Sequence, residues 1–235
     1  MKSVRIASRG LLAATGGVLA LAAALLCHAG PAGADGEELV ALPLELPKPA
    51  LVGTPKDVDD PQYAGVEKVS DKRRPVPKVP KGTTNLALHK TVTSNAKSCF
   101  SGELPMITDG NKEATEDSVV EIKGKPCWVQ IDLEASHELS YICIWHYHRE
   151  WDVVHHVIVQ VSDDPKFETG VTTLFNNDKS NKEGFGEGAN LEYWETYEGK
   201  LIPANGVKGR YVRLYSNGDT IDKLNRYTEV EVYGL

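Results

Sequence analysis

Trp128-Val129-Gln130-Ile131-Asp132-Leu133 decides the fold class. Apolar and polar residues alternate along it, and Pro126 stands just ahead. That period of two is the mark of a strand with one face buried. Leu139 to His148 follows as a second β-type run, and Val153 to Ser162 as a third, ended by Asp163-Asp164-Pro165. Further on, Thr172–Asn176, Tyr193–Tyr197 and Lys200–Ile202 read as short strands. Arg210–Ser216 is a clear strand before the turn Asn217-Gly218-Asp219, and Thr228–Tyr233 closes the chain. About eight strands without intervening helical periodicity predict an all-β, antiparallel sandwich or barrel.

Upstream the texture differs. Residues 35–84 contain Pro43, Pro47, Pro49, Pro55, Pro61, Pro75, Pro77 and Pro80, and their apolar residues follow neither period. The favoured reading is an extended linker arm. The alternative is that Leu42, Leu44, Leu46, Leu51 and Val52 lie along the domain surface or meet a partner. Residues 1–34 read as a secretory signal peptide. Lys2, Arg5 and Arg9 precede the apolar run Leu11–Leu26, and Ala32-Gly33-Ala34 offers a cleavage site. The run is short for a membrane span. A lipoprotein anchor at Cys27 is disfavoured because Leu26, the residue before it, is not small. The expected location is secreted or periplasmic, with no transmembrane segment in the mature chain.

The whole chain carries a formal charge of −7. The leader holds three basic residues and no acidic one, so the mature chain is more acidic still. This argues against nucleic acid or an anionic membrane as the main partner. Three cysteines follow the leader: Cys99, Cys127 and Cys143. Cys99 and Cys127 fall in loop-like sequence and are the pair expected to bridge. Cys143 sits in a strand pattern and reads as a small core residue.

Several segments, taken in order, resemble the discoidin (coagulation factor 5/8 type C) family. They are Asn85-Leu86-Ala87 with Lys90, where His89 replaces the family's usual Gly; Thr108-Asp109-Gly110-Asn111; the Trp128–Leu133 strand; and Leu139, Ile142 and Ile144. Val159-Gln160-Val161-Ser162, Arg210–Leu214 and Glu229–Gly234 complete the set, so the likeness covers essentially all of Asn85 to Gly234 within the domain expected over residues 85–235. The resemblance implies a jelly-roll-like β-sandwich of the galactose-binding type. Such domains bind sugars, lipid head groups or proteins through loops at one end. The family's terminal disulfide is absent, since no cysteine follows Cys143.

Two groups of residues suggest chemistry. Asp109, Asn111 and Thr115 supply hard oxygen ligands around the sharp turn at Gly110. The resemblance adds Glu229 of the last strand, so a structural Ca²⁺ is expected there. An ordinary acidic turn is the alternative. The second group is His146, His148, Arg149 and Trp151 with His155, joined by Arg226 and Tyr227 before the last strand. These suit a polar and aromatic floor for a glycan. Three imidazoles also suit Zn²⁺ or Cu²⁺, and the bland alternative is satisfied surface or core-edge side chains at a strand end. The polar, glycine-rich loop Phe175–Gly188 reads as a flexible surface loop, with part of a binding rim beside Arg226 and Tyr227 as the alternative. No nucleophile-elbow, zinc-protease or phosphate-loop motif is present. The expected function is a non-catalytic, exported carbohydrate-binding module. A cell-envelope protein-interaction domain and a histidine-cluster metalloprotein are the alternatives.

Overall fold

The computed structural model describes residues 38–51, 60–70, 72–124 and 127–235. The signal peptide and its cleavage site lie outside the described residues. Eleven strands run in chain order: β1 (Leu39–Ala41), β2 (Lys78–Pro80), β3 (Thr84–Asn85), β4 (Thr91–Ser94), β5 (Cys99–Ser101), β6 (Val120–Ile122), β7 (Cys127–His146), β8 (Ile158–Ser162), β9 (Thr172–Asn176), β10 (Lys200–Ser216) and β11 (Asn225–Gly234). Every ladder among them is antiparallel.

Two long strands build both layers. The first half of β7 pairs with β4, and the second half with β11. Along its length β7 also pairs with β10, in three registers separated by two shifts. One layer therefore reads β4, β7, β10, β8, β9, and the other β10, β7, β11, β6, β5, with β3 on β11. The strands bend between layers where the backbone turns left-handed: Glu134 in β7 (φ 70°), and Asn205 (φ 52°) with Gly206 (φ 77°) in β10. Left-handed backbone is disfavoured for most residues and marks a sharp change of direction. Val129, Ile131 and Leu133 from one layer meet Ile142, Ile144, Val230 and Val232 from the other in a single core. The architecture is an all-β antiparallel sandwich.

The sequence reading splits β7 and β10 into two strands each. The two bends explain this, because polar residues around Glu134 and Asn205 interrupt the alternation while the ladder continues. Tyr193–Tyr197 is no strand; it makes one bridge, Val153 with Trp194. His89 stands in backbone that favours glycine. Its φ is 58°, in the left-handed region, and its N–H bonds to the Thr108 carbonyl at 2.6 Å.

The arm corrects the linker expectation. Its described part packs on the outer face of the second layer. There β7, β10 and β11 turn Tyr141, Leu201 and Tyr233 outward, and Leu42 and Val79 cover them. Leu42, Leu44 and Leu46 alternate with exposed Ala41, Pro43 and Glu45, so the arm does have a strand-like buried side. Fully burying a side chain such as Leu42 or Val79 contributes roughly 1.5–3 kcal/mol. A prolyl-rich chain accepts this role because it needs few ladder bonds. β1 and β2 exchange three residue pairs and stop.

Candidate functional site

A second stretch of arm, residues 60–70 and 72–75, builds a cleft against the end of the sandwich. Val66 bridges to Glu192 in parallel, and the Glu67 N–H bonds to the Glu192 carbonyl at 2.7 Å. Tyr63 packs on Trp194, ring centres 4.7 Å apart. Val66, Val153 and Trp194 form a small core of their own, flanked by Val69 and Trp151. Arg74 closes the arrangement. Its guanidinium donates to the Gly199 carbonyl at 2.8 Å and the Glu198 carbonyl at 2.9 Å, while its backbone N–H bonds to the Glu198 carboxylate at 3.0 Å. The space between has a volume of about 800 Å³. One wall is the arm, with Lys68, Lys72 and Arg73. The other is the sandwich end, with His148, Trp151, Tyr193, Trp194 and Tyr197.

Three buried polar atoms on the sandwich wall have no hydrogen-bond partner among the described residues: His148 Nδ1, Tyr193 Oη and Glu195 Oε2. Such atoms are uncommon in folded proteins and mark places where a ligand or water completes the bonding. Glu195 places its other oxygen 2.7 Å from His146 Nδ1. His148 Nε2 is held 3.0 Å from the Lys112 carbonyl. The wall is therefore rigid on its inner side and incompletely bonded.

Of the seven residues expected to bind ligand, His148 and Trp151 line this cleft. The others do not converge on it. His146 and Tyr227 are core side chains, stacked on each other with ring centres 4.9 Å apart, and Tyr227 Oη bonds to Ser216. Arg226 is held by Glu121 (2.9 Å), Asp219 (2.5 Å) and Asp222 (2.6 Å), which leaves its guanidinium committed. His155 belongs to a separate segment, where the Glu192 carboxylate 2.8 Å away raises its pKa. Arg149 is exposed and outside the lining.

The Zn²⁺ or Cu²⁺ cluster is thereby overturned. Among the described residues, no three His, Cys, Asp or Glu side chains are placed to hold a metal ion. Each histidine is instead bound to a different partner. The Phe175–Gly188 loop stands outside the cleft lining. Buried Asp178 accepts the N–H groups of Ser180 and Glu183, His156 Nδ1 lies 2.8 Å from Glu183, and Phe185 packs on Tyr215.

The sequence reading missed Trp194, Tyr197 and the arm cations. Their cue was present: an aromatic cluster, Tyr193-Trp194 and Tyr197, in a segment with no strand period of its own.

At the loop after Thr108, Glu229 is fully buried, and both its carboxylate oxygens lie 3.2 Å from the Gly110 nitrogen. Burial pushes its pKa up to about 9 against the Gly110 bonds, and Glu231 and Asp109 add to the rise. Asn111 Oδ1 accepts the Glu113 N–H and Thr115 Oγ1 pairs with Ser118, so these two side chains are engaged within the loop.

The Cys99–Cys127 bridge is also absent. Both are free thiols. Cys127 is buried at the start of β7 and bonds to Ser94, and burial pushes its pKa up to about 11. Cys143 is buried and free, as a core residue.

Behind the cleft, Asp152 is buried and accepts the Thr220 hydroxyl at 2.5 Å and the Thr220 N–H at 3.2 Å. Burial pushes its pKa from 3.8 up to about 6, with Asp219 and Glu195 adding to the rise. The folded state keeps a proton that the unfolded chain has already released. Stability present below pH 3.8 is therefore lost as pH rises through 6. Asp152→Asn keeps an acceptor for Thr220 and removes the titration. We expect it to flatten the pH dependence of the melting temperature between about pH 4 and 6.5, an effect of up to about 3 kcal/mol. An unchanged slope would show that Asp152 does not carry that proton.

No family model matches the sequence, and no curated protein does. Among the described residues no helix is long and apolar enough to cross a membrane. Several solved structures are similar. A family 89 glycoside hydrolase from Clostridium perfringens aligns at 17% identity and a TM-score of 0.47 over 64% of this chain. The matched part is 14% of that enzyme's length. A fucose-binding module from Streptococcus pneumoniae aligns at 21% identity and a TM-score of 0.46, covering 65% of this chain and 98% of the module. A chitosan-binding module from a Paenibacillus sp. IK-5 chitosanase/glucanase aligns at 21% identity and a TM-score of 0.44, covering 64% and 99%.

Proposed function

We propose that the protein is an exported, non-catalytic module that binds a carbohydrate in the cleft between arm and sandwich. The observation that carries this is the sandwich wall, where Trp151, Trp194 and Tyr197 stand beside the unpartnered polar atoms of His148, Tyr193 and Glu195. A pyranose ring has an apolar face for an aromatic ring and hydroxyls on its edge for buried donors and acceptors. Ligand pockets commonly combine these two features. The sequence resemblance to the discoidin family supports the same reading.

A glycan array probed with the mature chain and with Trp151→Ala tests it. We expect defined hits for the wild type and a loss of about thirtyfold in affinity for the variant, equivalent to an aromatic anchor of about 2 kcal/mol. Trp151→Phe should retain part of the binding. Hits that Trp151→Ala leaves unchanged would place the sugar elsewhere.

A structural calcium is part of the proposal. Glu229 presents a buried carboxylate with Asp109 beside it, and a hard cation would satisfy both. Calcium there would stiffen the loop and take no part in chemistry. With calcium near one hundred times its dissociation constant, the melting midpoint should rise by about 5–10 °C over protein in chelator. Glu229→Gln should erase that difference. Identical midpoints with and without calcium in the wild type would remove the ion from the account.

A further inference from the structure

We propose that the cleft selects glycans bearing anionic groups, uronate carboxylates or sulfate esters, through Lys68, Lys72 and Arg73 on its arm wall. This deepens the carbohydrate reading above and rests on it. The chain as a whole is acidic, with a formal charge of −7, so a basic surface is a local exception that needs a reason.

The cleft carries charges of both signs, and they differ in how they are used. Among the described residues, each acid of the lining has one carboxylate oxygen engaged, and Glu195 keeps the other free. Glu67 pairs with Lys200 at 2.5 Å, Glu195 with His146 at 2.7 Å, and the Glu198 carboxylate accepts the Arg74 N–H. Lys68, Lys72 and Arg73 are exposed, and their side chains make no ion pair or hydrogen bond among the described residues. Arg74, the fourth cation, is spent on two backbone carbonyls, and its neighbours Lys72 and Arg73 belong to the cleft lining. The free charge facing the cleft is therefore mainly positive, opposite an aromatic wall that suits a sugar ring. An acidic sugar stacked on Trp151 would meet both.

The test measures calorimetric binding of the mature chain to two matched pairs. One is hexagalacturonate and its methyl ester; the other is a sulfated galactan oligosaccharide and its desulfated form. The methyl ester keeps the backbone and removes the charge. We expect the acidic member of at least one pair to bind about tenfold more tightly than its neutral partner. That preference should shrink between about 50 mM and 500 mM salt as screening increases. The triple variant Lys68→Gln/Lys72→Gln/Arg73→Gln, whose side chains are exposed, should melt like the wild type and lose the preference. Trp151→Ala should weaken both members of the preferred pair.

Equal binding of acidic and neutral members would overturn the inference and leave the carbohydrate cleft standing. No binding of any of the four would overturn the inference, and a glycan array without hits would then take the underlying reading with it. Acidic binding that is insensitive to Trp151→Ala, or that a DNA oligonucleotide displaces, would show simple polyanion attraction and would also overturn it.

Discussion

Gly199→Ala is expected to lower the melting temperature by about 10 °C and to abolish binding in the cleft. Gly199 has φ +63°, and a Cβ there would stand 2.7 Å from Trp145 Cε2, 2.8 Å from Trp145 Nε1 and 2.9 Å from the Ile144 carbonyl. Trp145 cannot give way, because it is fully buried and its indole N–H bonds to the Tyr197 carbonyl at 2.9 Å. Left-handed backbone costs about 1–2 kcal/mol and overpacking about 1–3 kcal/mol. Together they amount to roughly 3–4 kcal/mol, and a domain of this size loses about 2–4 °C per kcal/mol. Gly170→Ala is the matched control, since Gly170 has φ +59° but nothing within 4 Å of the added carbon. The backbone cost alone should move its midpoint by a few degrees. Equal shifts for the two variants would mean that Trp145 does not fix this loop.

The second large effect is expected from Arg74→Ala. The guanidinium holds two carbonyls of the same loop, Glu198 and Gly199; the Cys143 thiol, 3.8 Å from the Glu198 carbonyl, is a weak substitute. Hydrogen bonds from a charged donor are each worth about 1.5–3 kcal/mol, and partial exposure puts this pair near the lower end. A loss of about 2 kcal/mol in arm docking corresponds to a roughly thirtyfold rise in the open population. Tryptic cleavage after Lys72 and Arg73, followed by mass spectrometry, should accelerate accordingly, while the global melt changes little. Ligand affinity should fall at least about tenfold, because one wall is released. Arg74→Lys should rescue poorly, since an ammonium lacks the planar fork that reaches both carbonyls. Unchanged cleavage and affinity would show that the arm is held by its apolar contacts alone.

Much of the fold is legible in the sequence, for a simple reason. Strands with one face buried write their period into the chain, as Trp128–Leu133 does, and the segments from Asn85 onward occur in the order of a known family. The continuity of β7 and β10 is not legible, because bends at Glu134 and Asn205 resemble turns. The arm is harder still. Proline suppresses periodicity, and the fact that β11 is covered on its outer face depends on Leu42 and Val79 returning from far away in sequence. A site reading from residue type goes astray at His146 and Tyr227 for another reason: Tyr227 belongs to the main core, and His146 packs on it and bonds to Glu195. Both have ligand-like chemistry, yet both lie in strands whose two faces are buried. Arg226 was decipherable in principle: Asp219 and Asp222 lie seven and four residues before it and capture its guanidinium. The cleft unites Arg74 with Gly199, 125 residues apart, and no local pattern signals that meeting.

The central claim is that ligand enters between arm and sandwich, against Trp151 and Trp194. The chain has four tryptophans, and each gives one indole N–H signal. Nitrogen-edited NMR of the mature chain, titrated with the strongest hit from the glycan array, reads all four at once. The signals of Trp151 and Trp194 should move with ligand and saturate together, while Trp128, stacked on Arg213 in the other layer, stays fixed. Shifts confined to Trp128, or no indole shift under saturating ligand, would contradict the account.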